Sequence, residues 1–277
     1  GGRGPAKHLG PDGCLADRFM FGAVLLQADG KNLLLDTALG EVMPPSSIPV
    51  DEDGVRRPPY PLLQTLRCHA GVQPEDIDYV VHSHLHPDHI GWNMRFPPQG
   101  KGEPVPTFPR AKHVVQQAEW DYPAKHFKCP WRGQWEALCA PLERAGMVKL
   151  VRGDVRLLPS VSLLVSSGHT PGHQCVRVDS AGQVGLYIGD LLHTVPQVTW
   201  PEFSAHFDAC CWPGKKARST ERPELERNAS AEARRALLKR AEAEGATILS
   251  PHLPFPGIGR LAAAEGGRAA TQSLRLG

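Results

Sequence analysis

The sequence has no long apolar run, no strong charge of either sign and no metal-binding pair of cysteines, and each absence excludes a class of protein. Without a run of about 18 apolar residues, we predict that no segment crosses a membrane. The formal net charge of +2 is too small to indicate a nucleic-acid or membrane-surface partner. The 7 cysteines are odd in number and contain no Cys-x-x-Cys spacing, so we expect free thiols in a reducing compartment.

Length and composition predict one large globular domain of the α/β class. The chain has 277 residues, and we expect residues 1–277 to form a single domain behind an irregular arm over residues 1–18. The 28 glycines and 27 prolines indicate long shaped loops between the elements. The chain opens with Gly1-Gly2-Arg3 and no Met, so an export signal could have been removed, and we expect a cytoplasmic or periplasmic location.

Short apolar runs alternate with turn signals in both halves of the chain. Asp29-Gly30 between two apolar runs predicts a β-hairpin, while Ser230 and Gly245 predict the start and end of a late helix. Because helices close each half, we predict two sheets packed face to face with helices outside. Other strands are expected at Ile77–Ser83, His113–Val115, Val148–Val151, Val155–Leu158, Val161–Val165, Cys175–Val178, Val184–Ile188 and Thr247–Ser250, those at 148–165 with hairpin-like spacing.

The segment His84-Leu85-His86-Pro87-Asp88-His89 is the most informative stretch of the chain. It follows a predicted buried strand, where a sheet can hold a loop rigidly. Imidazole nitrogens and carboxylate oxygens are the ligands that suit Zn²⁺. His84 and His86 are two residues apart, so on extended backbone they point the same way. Asp88 and His89 follow the turn at Pro87 and can face a second ion.

Three further elements place a potential ligand at the end of a predicted strand. They are His169 in Gly168-His169-Thr170-Pro171-Gly172-His173, Asp190 after Ile188-Gly189, and His252 after Leu249-Ser250-Pro251. A single histidine or aspartate at a strand end is usually an ordinary polar residue whose hydrogen-bonding groups all have partners. All of these potential ligands lie at strand ends, and that shared position indicates one composite metal site.

With these elements in place, the sequence resembles the metallo-β-lactamase superfamily through most of its length. Leu33-Leu34-Leu35-Asp36-Thr37 looks like the family's early strand, in which the aspartate is a support rather than a ligand. His84–His89 matches the signature motif in full. The stretch His252-Leu-Pro-Phe-Pro-Gly-Ile-Gly259 is similar to the methyl-parathion-hydrolase-like branch, with the acyl-homoserine-lactone lactonases as close neighbours.

The resemblance implies an αββα sandwich of two packed mixed sheets with helices outside, and a binuclear metal centre. It implies that His84, His86 and His169 hold one divalent ion, that Asp88, His89 and His252 hold the other, and that Asp190 bridges them. Zinc is the default metal, and Mn, Co or Fe are also compatible with histidine and carboxylate ligands. Two such ions, roughly 3.5–4 Å apart, can share a hydroxide that attacks an electrophilic carbon or phosphorus.

The leading functional hypothesis is hydrolysis of a small, mostly uncharged ester-like substrate: a lactone, a carboxylic ester or an organophosphate triester. The alternatives are a β-lactamase or other hydrolase of the same fold, a metal-binding scaffold without turnover, and a mononuclear structural zinc protein. A small-molecule substrate is expected, without a nucleic-acid partner or a membrane, and loops 41–61 and 191–228 could pack against a second copy in a homodimer.

Several residues near the expected site carry weaker hypotheses. Asp88 is expected to act in the metal site first and as a proton shuttle second. His193, three residues beyond Asp190, is the candidate donor of a hydrogen bond to substrate or leaving group, and the alternative is an ordinary loop histidine. His173 is expected to brace its loop, and His82 to be a buried neutral histidine. Aromatic residues that could line an apolar pocket are Trp92, Trp131, Trp135, Trp200, Phe203, Phe207 and Phe255.

Overall fold

The computed structural model describes residues 20–40, 61–96, 103–126, 129, 131–203, 224–264 and 267–271, with backbone alone for 224–228, 263–264 and 267–271. The predicted arm over 1–18, most of loop 41–61, Phe207 and residues 204–223 of the second loop lie outside the described residues. No helix within the described ranges has the length and apolar character that a bilayer crossing requires.

The first sheet has five strands in the spatial order β1, β2, β3, β6, β7. Strand β1 runs antiparallel to β2, and the remaining neighbours are parallel. The predicted hairpin is confirmed, since Asp29 and Gly30 join β1 to β2 with positive φ angles of 51° and 70°, as a tight hairpin turn requires. The strands are β1 Val24–Ala28, β2 Lys31–Leu35, β3 Tyr79–Val81, β6 Lys112–Gln116 and β7 Val148–Val151.

The second sheet has seven strands in the order β14, β13, β12, β11, β10, β9, β8. All neighbours are antiparallel except β11 and β12, which are parallel. A separate ribbon pairs β4 with β5. The strands are β4 Met94–Arg95, β5 Val105–Pro106, β8 Val155–Leu158, β9 Val161–Val165, β10 Gln174–Ser180, β11 Gln183–Tyr187, β12 Thr247–Leu249, β13 Ile258–Ala264 and β14 Gly267–Thr271.

Alternation of side chains explains why the two sheets pack face to face with helices outside. In β2, Leu33 and Leu35 pack on the second sheet, whereas Leu34 faces the helical layer. In β11, Tyr187 joins the inter-sheet core, while Leu186 packs towards the last helix.

The helices are α1 Leu62–Thr65, continued by a π-helical turn over Leu66–Ala70, then α2 Pro87–Ile90, α3 Gln117–Lys125, α4 Arg132–Leu138, α5 Ala140–Arg144, α6 Pro196–Thr199 and α7 Glu224–Ala243. Short 3₁₀ turns lie at Pro74–Asp76 and Gly189–Leu191.

Two local predictions are wrong. Ser230 does not cap α7, because the helix already begins at Glu224, and the Ser230 hydroxyl instead accepts a hydrogen bond from buried Arg234. The runs at 148–151 and 155–158 do not form a hairpin. Strand β7 pairs with β6 in the first sheet, and β8 pairs with β9 in the second. The chain crosses between sheets here, and spacing alone does not distinguish a crossing from a hairpin.

Candidate metal centre

The His84–His89 segment lies where the chain leaves β3 and enters α2. His86 keeps extended backbone angles, and Pro87 occupies the first helical position, where its fixed φ suits a helix start. His84 and His86 therefore precede the helix, whereas Asp88 and His89 lie on its first turn. One short segment thus contributes side chains to two neighbouring clusters.

The second sheet supplies the other three predicted ligands from a single edge. His169 lies between β9 and β10, Asp190 in the 3₁₀ turn after β11, and His252 beyond β12. The carboxyl ends of β9, β11 and β12 share that edge, because β9 and β11 are each antiparallel to β10, and β12 is parallel to β11. Residues far apart in the sequence are thereby brought together.

The first cluster consists of His84, His86, His169 and Asp190, all buried. The Nδ1 atom of His86 lies 2.9 Å from Nε2 of His84 and 2.9 Å from Nε2 of His169. The Oδ2 atom of Asp190 lies 3.6 Å from Nε2 of His84 and 3.3 Å from Nε2 of His169. The three imidazoles and the carboxylate converge on one point.

The second cluster consists of Asp88, His89, Asp190 and His252. The Oδ1 atom of Asp190 lies 2.9 Å from Nε2 of His89 and 3.0 Å from Nε2 of His252. The Oδ2 atom of Asp88 completes the cluster at 3.5 and 3.6 Å from the same two nitrogens. Asp190 therefore presents one carboxylate oxygen to each cluster.

The donor set fits two small divalent cations. Four donors arranged tetrahedrally about 2.0–2.1 Å from Zn²⁺ lie roughly 3.4 Å from one another, and the contacts above span 2.9 to 3.6 Å. The buried His89 Nε2 and Asp190 Oδ1 form no hydrogen bond within the described residues, although they lie 2.9 Å apart. Buried nitrogen and oxygen atoms that converge without forming a hydrogen bond are the arrangement that a metal ion satisfies.

Charge in the site is concentrated around His89 and Asp190. Burial acts to lower the pKa of His89, but the carboxylates of Asp190, Asp88 and Asp36 outweigh it and raise that pKa well above its ordinary value. Burial acts to raise the pKa of Asp190, yet His252, His89 and His84 hold it well below its usual range. A cation that binds at His89 has to displace a proton held by these carboxylates.

Asp36, expected to be a support rather than a ligand, bonds directly to a histidine of the second cluster and reaches the first cluster through Ser83. Its fully buried carboxylate accepts hydrogen bonds from His89 Nδ1 at 2.9 Å and from the Tyr187 hydroxyl at 2.7 Å. It also accepts from the backbone N–H and the hydroxyl of Ser83, at 2.7 and 2.6 Å. That hydroxyl in turn lies 3.0 Å from Nδ1 of His84. Asp36 therefore orients one histidine of each cluster.

Glu119 and His173 fix the loops that carry the ligands. The buried Glu119 carboxylate accepts hydrogen bonds from the Leu85 and Gly172 N–H groups, each at 3.0 Å, and so joins the two histidine loops. His173 Nε2 accepts the Asp190 N–H at 3.1 Å, and burial lowers the pKa of His173 to about 3. These contacts are those of the bracing residue expected at His173. Sequence reasoning missed Glu119 and Tyr187, whose roles depend on tertiary packing.

His193 and the aromatic residues divide between the site and the core. His193 is buried, its Nε2 lies 3.2 Å from Asp190 Oδ2, and its ring stacks on that of His252 at 5.3 Å. The Trp131 ring meets His86 edge to face at 4.5 Å, and Phe21, not predicted, contacts His252 at 5.6 Å. Of the other aromatic residues proposed for the pocket, Trp92 and Trp135 pack in core clusters, whereas Phe203 and Phe255 are exposed.

Comparison with known proteins gives the family of the chain and several relatives. A family described as the metallo-beta-lactamase superfamily matches residues 23–252. The N-acyl homoserine lactonase of Bacillus cereus is 30% identical over 121 residues. That alignment covers 43% of this chain and 39% of the relative, so it spans about two fifths of the length of this curated protein.

Solved structures resemble the fold over nearly the whole chain. The dizinc quorum-quenching lactonase AidC, solved with a product, superposes with a TM-score of 0.68 at 21% identity, covering 94% of this chain and 81% of its own. The hydrolase AbOPH of the beta lactamase superfamily superposes with a TM-score of 0.72 at 23% identity, covering 97% and 84%. The predicted sandwich of two mixed sheets with outer helices is therefore confirmed.

Proposed function

Because the chain belongs to the metallo-beta-lactamase superfamily, we propose that it is a binuclear metal-dependent hydrolase and that a lactone is its substrate. The observation that carries the proposal is the position of Asp190 between two clusters. One oxygen faces His84, His86 and His169, and the other faces Asp88, His89 and His252. A mononuclear structural zinc site has no need of a second cluster.

The seven proposed ligands are those named above, and zinc is the metal that their spacing and chemistry favour. When bound, two divalent ions supply Lewis acidity and an activated water at neutral pH. Histidine and carboxylate ligands accept Mn, Co and Fe as well, so metal analysis of the purified protein decides the identity. Two ions per chain are expected.

The side chains around the proposed ligands suit a small uncharged substrate. Asp88 is the most accessible of the proposed ligands, with 20% of its side chain exposed, so it marks the open side of the site. Trp131 and Phe21 lie against His86 and His252 and give this region apolar walls. His193 can donate a hydrogen bond from Nε2 to Asp190 Oδ2 and so fix the orientation in which that carboxylate faces both clusters.

A lactone is the substrate that the relatives favour. The curated relative reported above is named as an N-acyl homoserine lactonase, and AidC is described as a lactonase with an N-acyl homoserine product. A lactone is uncharged at its reacting carbonyl, in keeping with aromatic rather than basic neighbours of the site. Carboxylic esters and organophosphate triesters share the electrophilic centre and remain the second choices.

The test is hydrolysis of an acyl-homoserine lactone, an aryl ester, a phosphotriester and a β-lactam by metal-reconstituted protein. We expect the lactone to have the highest kcat/KM, and we expect chelation or His84→Ala to abolish its turnover. His69→Ala, at an exposed histidine on the π-helical turn, is the matched control and should keep full activity. Turnover of none of the four by protein with two bound ions per chain would favour the non-catalytic scaffold.

A further inference from the structure

A pair of buried histidines lies behind the proposed metal centre, and no role has yet been assigned to it. His82 and His113 are each almost fully buried, and Nε2 of His82 lies 3.1 Å from Nδ1 of His113. Their rings stack at a centroid distance of 5.4 Å. Nδ1 of His82 lies 3.9 Å from Oδ1 of Asp36, an electrostatic contact beyond hydrogen-bond distance. The pair therefore neighbours the carboxylate that orients His89 and, through Ser83, His84.

Two arrangements of protons satisfy the contact between the two rings. In one, His113 Nδ1–H donates to His82 Nε2, and the proton of His82 is on Nδ1, facing Asp36. In the other, His82 Nε2–H donates to His113 Nδ1, and a nitrogen lone pair of His82 faces the carboxylate. Each neutral imidazole has one N–H group, so these arrangements exclude one another.

The surroundings of His82 favour the first arrangement. A lone pair opposite a buried carboxylate is repelled, whereas an N–H group is attracted, and a buried site of low dielectric strengthens both effects. Asn93 Nδ2 lies 3.4 Å from His82 Nε2, where it can donate to a nitrogen that has no proton. The Thr37 hydroxyl lies 3.2 Å from Asn93 Oδ1 and can fix that orientation of the amide.

The charge state of the pair agrees with this arrangement. Burial lowers the pKa of His82 to about 4, while Asp36 and the backbone carbonyl of His89 act in the opposite direction and favour a proton on the ring. Burial also lowers the pKa of His113, and His82 lowers it further. The geometry points the same way, because two ring nitrogens 3.1 Å apart have room for only one hydrogen between them.

We infer that His82 and His113 are positioning residues, which orient the Asp36 carboxylate for the proposed metal ligands by the nitrogen on which each ring carries its proton. His113 fixes the tautomer of His82, and His82 presents its Nδ1–H to Asp36. Asp36 then accepts from His89 Nδ1 and leaves Nε2 of His89 for the metal. The inference rests on the proposed metal centre, but the tautomer of His82 can be measured without metal or turnover.

The first experiment is a long-range ¹H–¹⁵N correlation spectrum of the imidazole groups in the metal-free protein, with His82→Gln used to assign the His82 signals. We expect the Nδ1–H tautomer at His82 and at His113. The Nε2–H tautomer at His82 overturns the inference. Because this measurement uses the unaltered chain, it decides the question even where a variant fails to fold.

The second experiment measures metal affinity by chelator competition. Mutation of residues that orient metal ligands typically lowers metal affinity by about 10- to 100-fold. We expect a loss in that range for His113→Leu. His113→Asn keeps an amide donor near the Nδ1 position and should recover most of the affinity, while His69→Leu should change nothing. Equal losses in the leucine and asparagine variants contradict the inference. Failure of the unaltered chain to bind metal contradicts the proposed function instead and leaves the tautomer result standing.

Discussion

Replacement of Asp36 by Asn tests how the proposed metal centre is held in place, because it changes one atom and keeps the shape of the side chain. The carboxylate accepts four hydrogen bonds, three of them at Oδ2 from Ser83, His89 and Tyr187, and one at Oδ1 from the Ser83 N–H. Burial and Asp36 hold the pKa of Tyr187 well above its ordinary value, so its hydroxyl remains a donor. An amide in this position always turns an NH₂ group towards at least one of these donors.

The magnitude follows from the number of bonds affected. With the amide oxygen at the Oδ2 position, the Ser83 N–H is left without an acceptor, at a cost of about 1–3 kcal/mol. The remaining three bonds lose the strengthening that an ionised acceptor provides, roughly twofold. We expect Asp36→Asn to lower the free energy of unfolding by roughly 2–4 kcal/mol. We also expect metal affinity to fall about 10- to 100-fold, or roughly 1.4–2.7 kcal/mol.

Chelator competition and denaturant unfolding measure these two quantities separately. Asp78→Asn is the matched control, since Asp78 lies at the other end of β3, is partly exposed and accepts from Lys31 and the Asn32 N–H. That control should leave metal affinity unchanged. If Asp36→Asn protein binds both ions with the affinity of the unaltered chain, the reasoning that Asp36 orients both clusters is refuted.

Three further outcomes follow from the packing around the site. Glu119→Gln should lower both metal affinity and the free energy of unfolding, because its amide NH₂ group must face one of the two backbone N–H groups that donate to the carboxylate. Metal titration and denaturant unfolding measure these two quantities. Gly189→Ala should strongly lower the melting temperature, because φ is +48° and an added Cβ would lie 2.7 Å from His173 Nε2. Exposed Cys68 should react with iodoacetamide at pH 8, whereas Cys175, whose pKa burial raises to about 12, should react only after unfolding, as peptide mass spectrometry would show.

Most of the strands and the proposed ligands could be predicted because their signals are local, whereas β4, β5, β13 and β14 were not predicted. The limits of β7, β8 and β9 coincide with the apolar runs that define them, and Asp29-Gly30 specifies its turn by the backbone conformation it permits. The ligand motif is equally local, because four of its six positions carry metal-binding side chains. The position of each strand in a sheet is not local, so the spacing of β7 and β8 predicts a hairpin where the chain crosses from one sheet to the other.

Of the residues that orient the proposed ligands, Asp36 and His173 were expected from the sequence, but Glu119 and Tyr187 could not be predicted, for the same reason. Glu119 in a helical stretch and Tyr187 in a strand each have an ordinary local context, and their partners are 34 to 151 residues away in the chain. Arg234 lies in α7, a helix rich in charged residues, yet it is fully buried and donates to the backbone carbonyl of Leu191, next to Asp190. A charged residue at a helical position facing the core looks, in sequence, like one that faces solvent.

The difference between ligands and their supports has a physical origin. A metal ion needs imidazole and carboxylate groups, and few residue types offer them, so a cluster of such residues at strand ends is conspicuous in any sequence. A support needs only a buried donor or acceptor at the correct distance, and many residue types can provide one. The chain uses a carboxylate at Asp36, another at Glu119 and an imidazole at His173 for the same task of fixing a ligand loop. The geometry of the proposed metal centre therefore depends in part on residues such as Glu119 and Tyr187, whose role only the folded arrangement reveals.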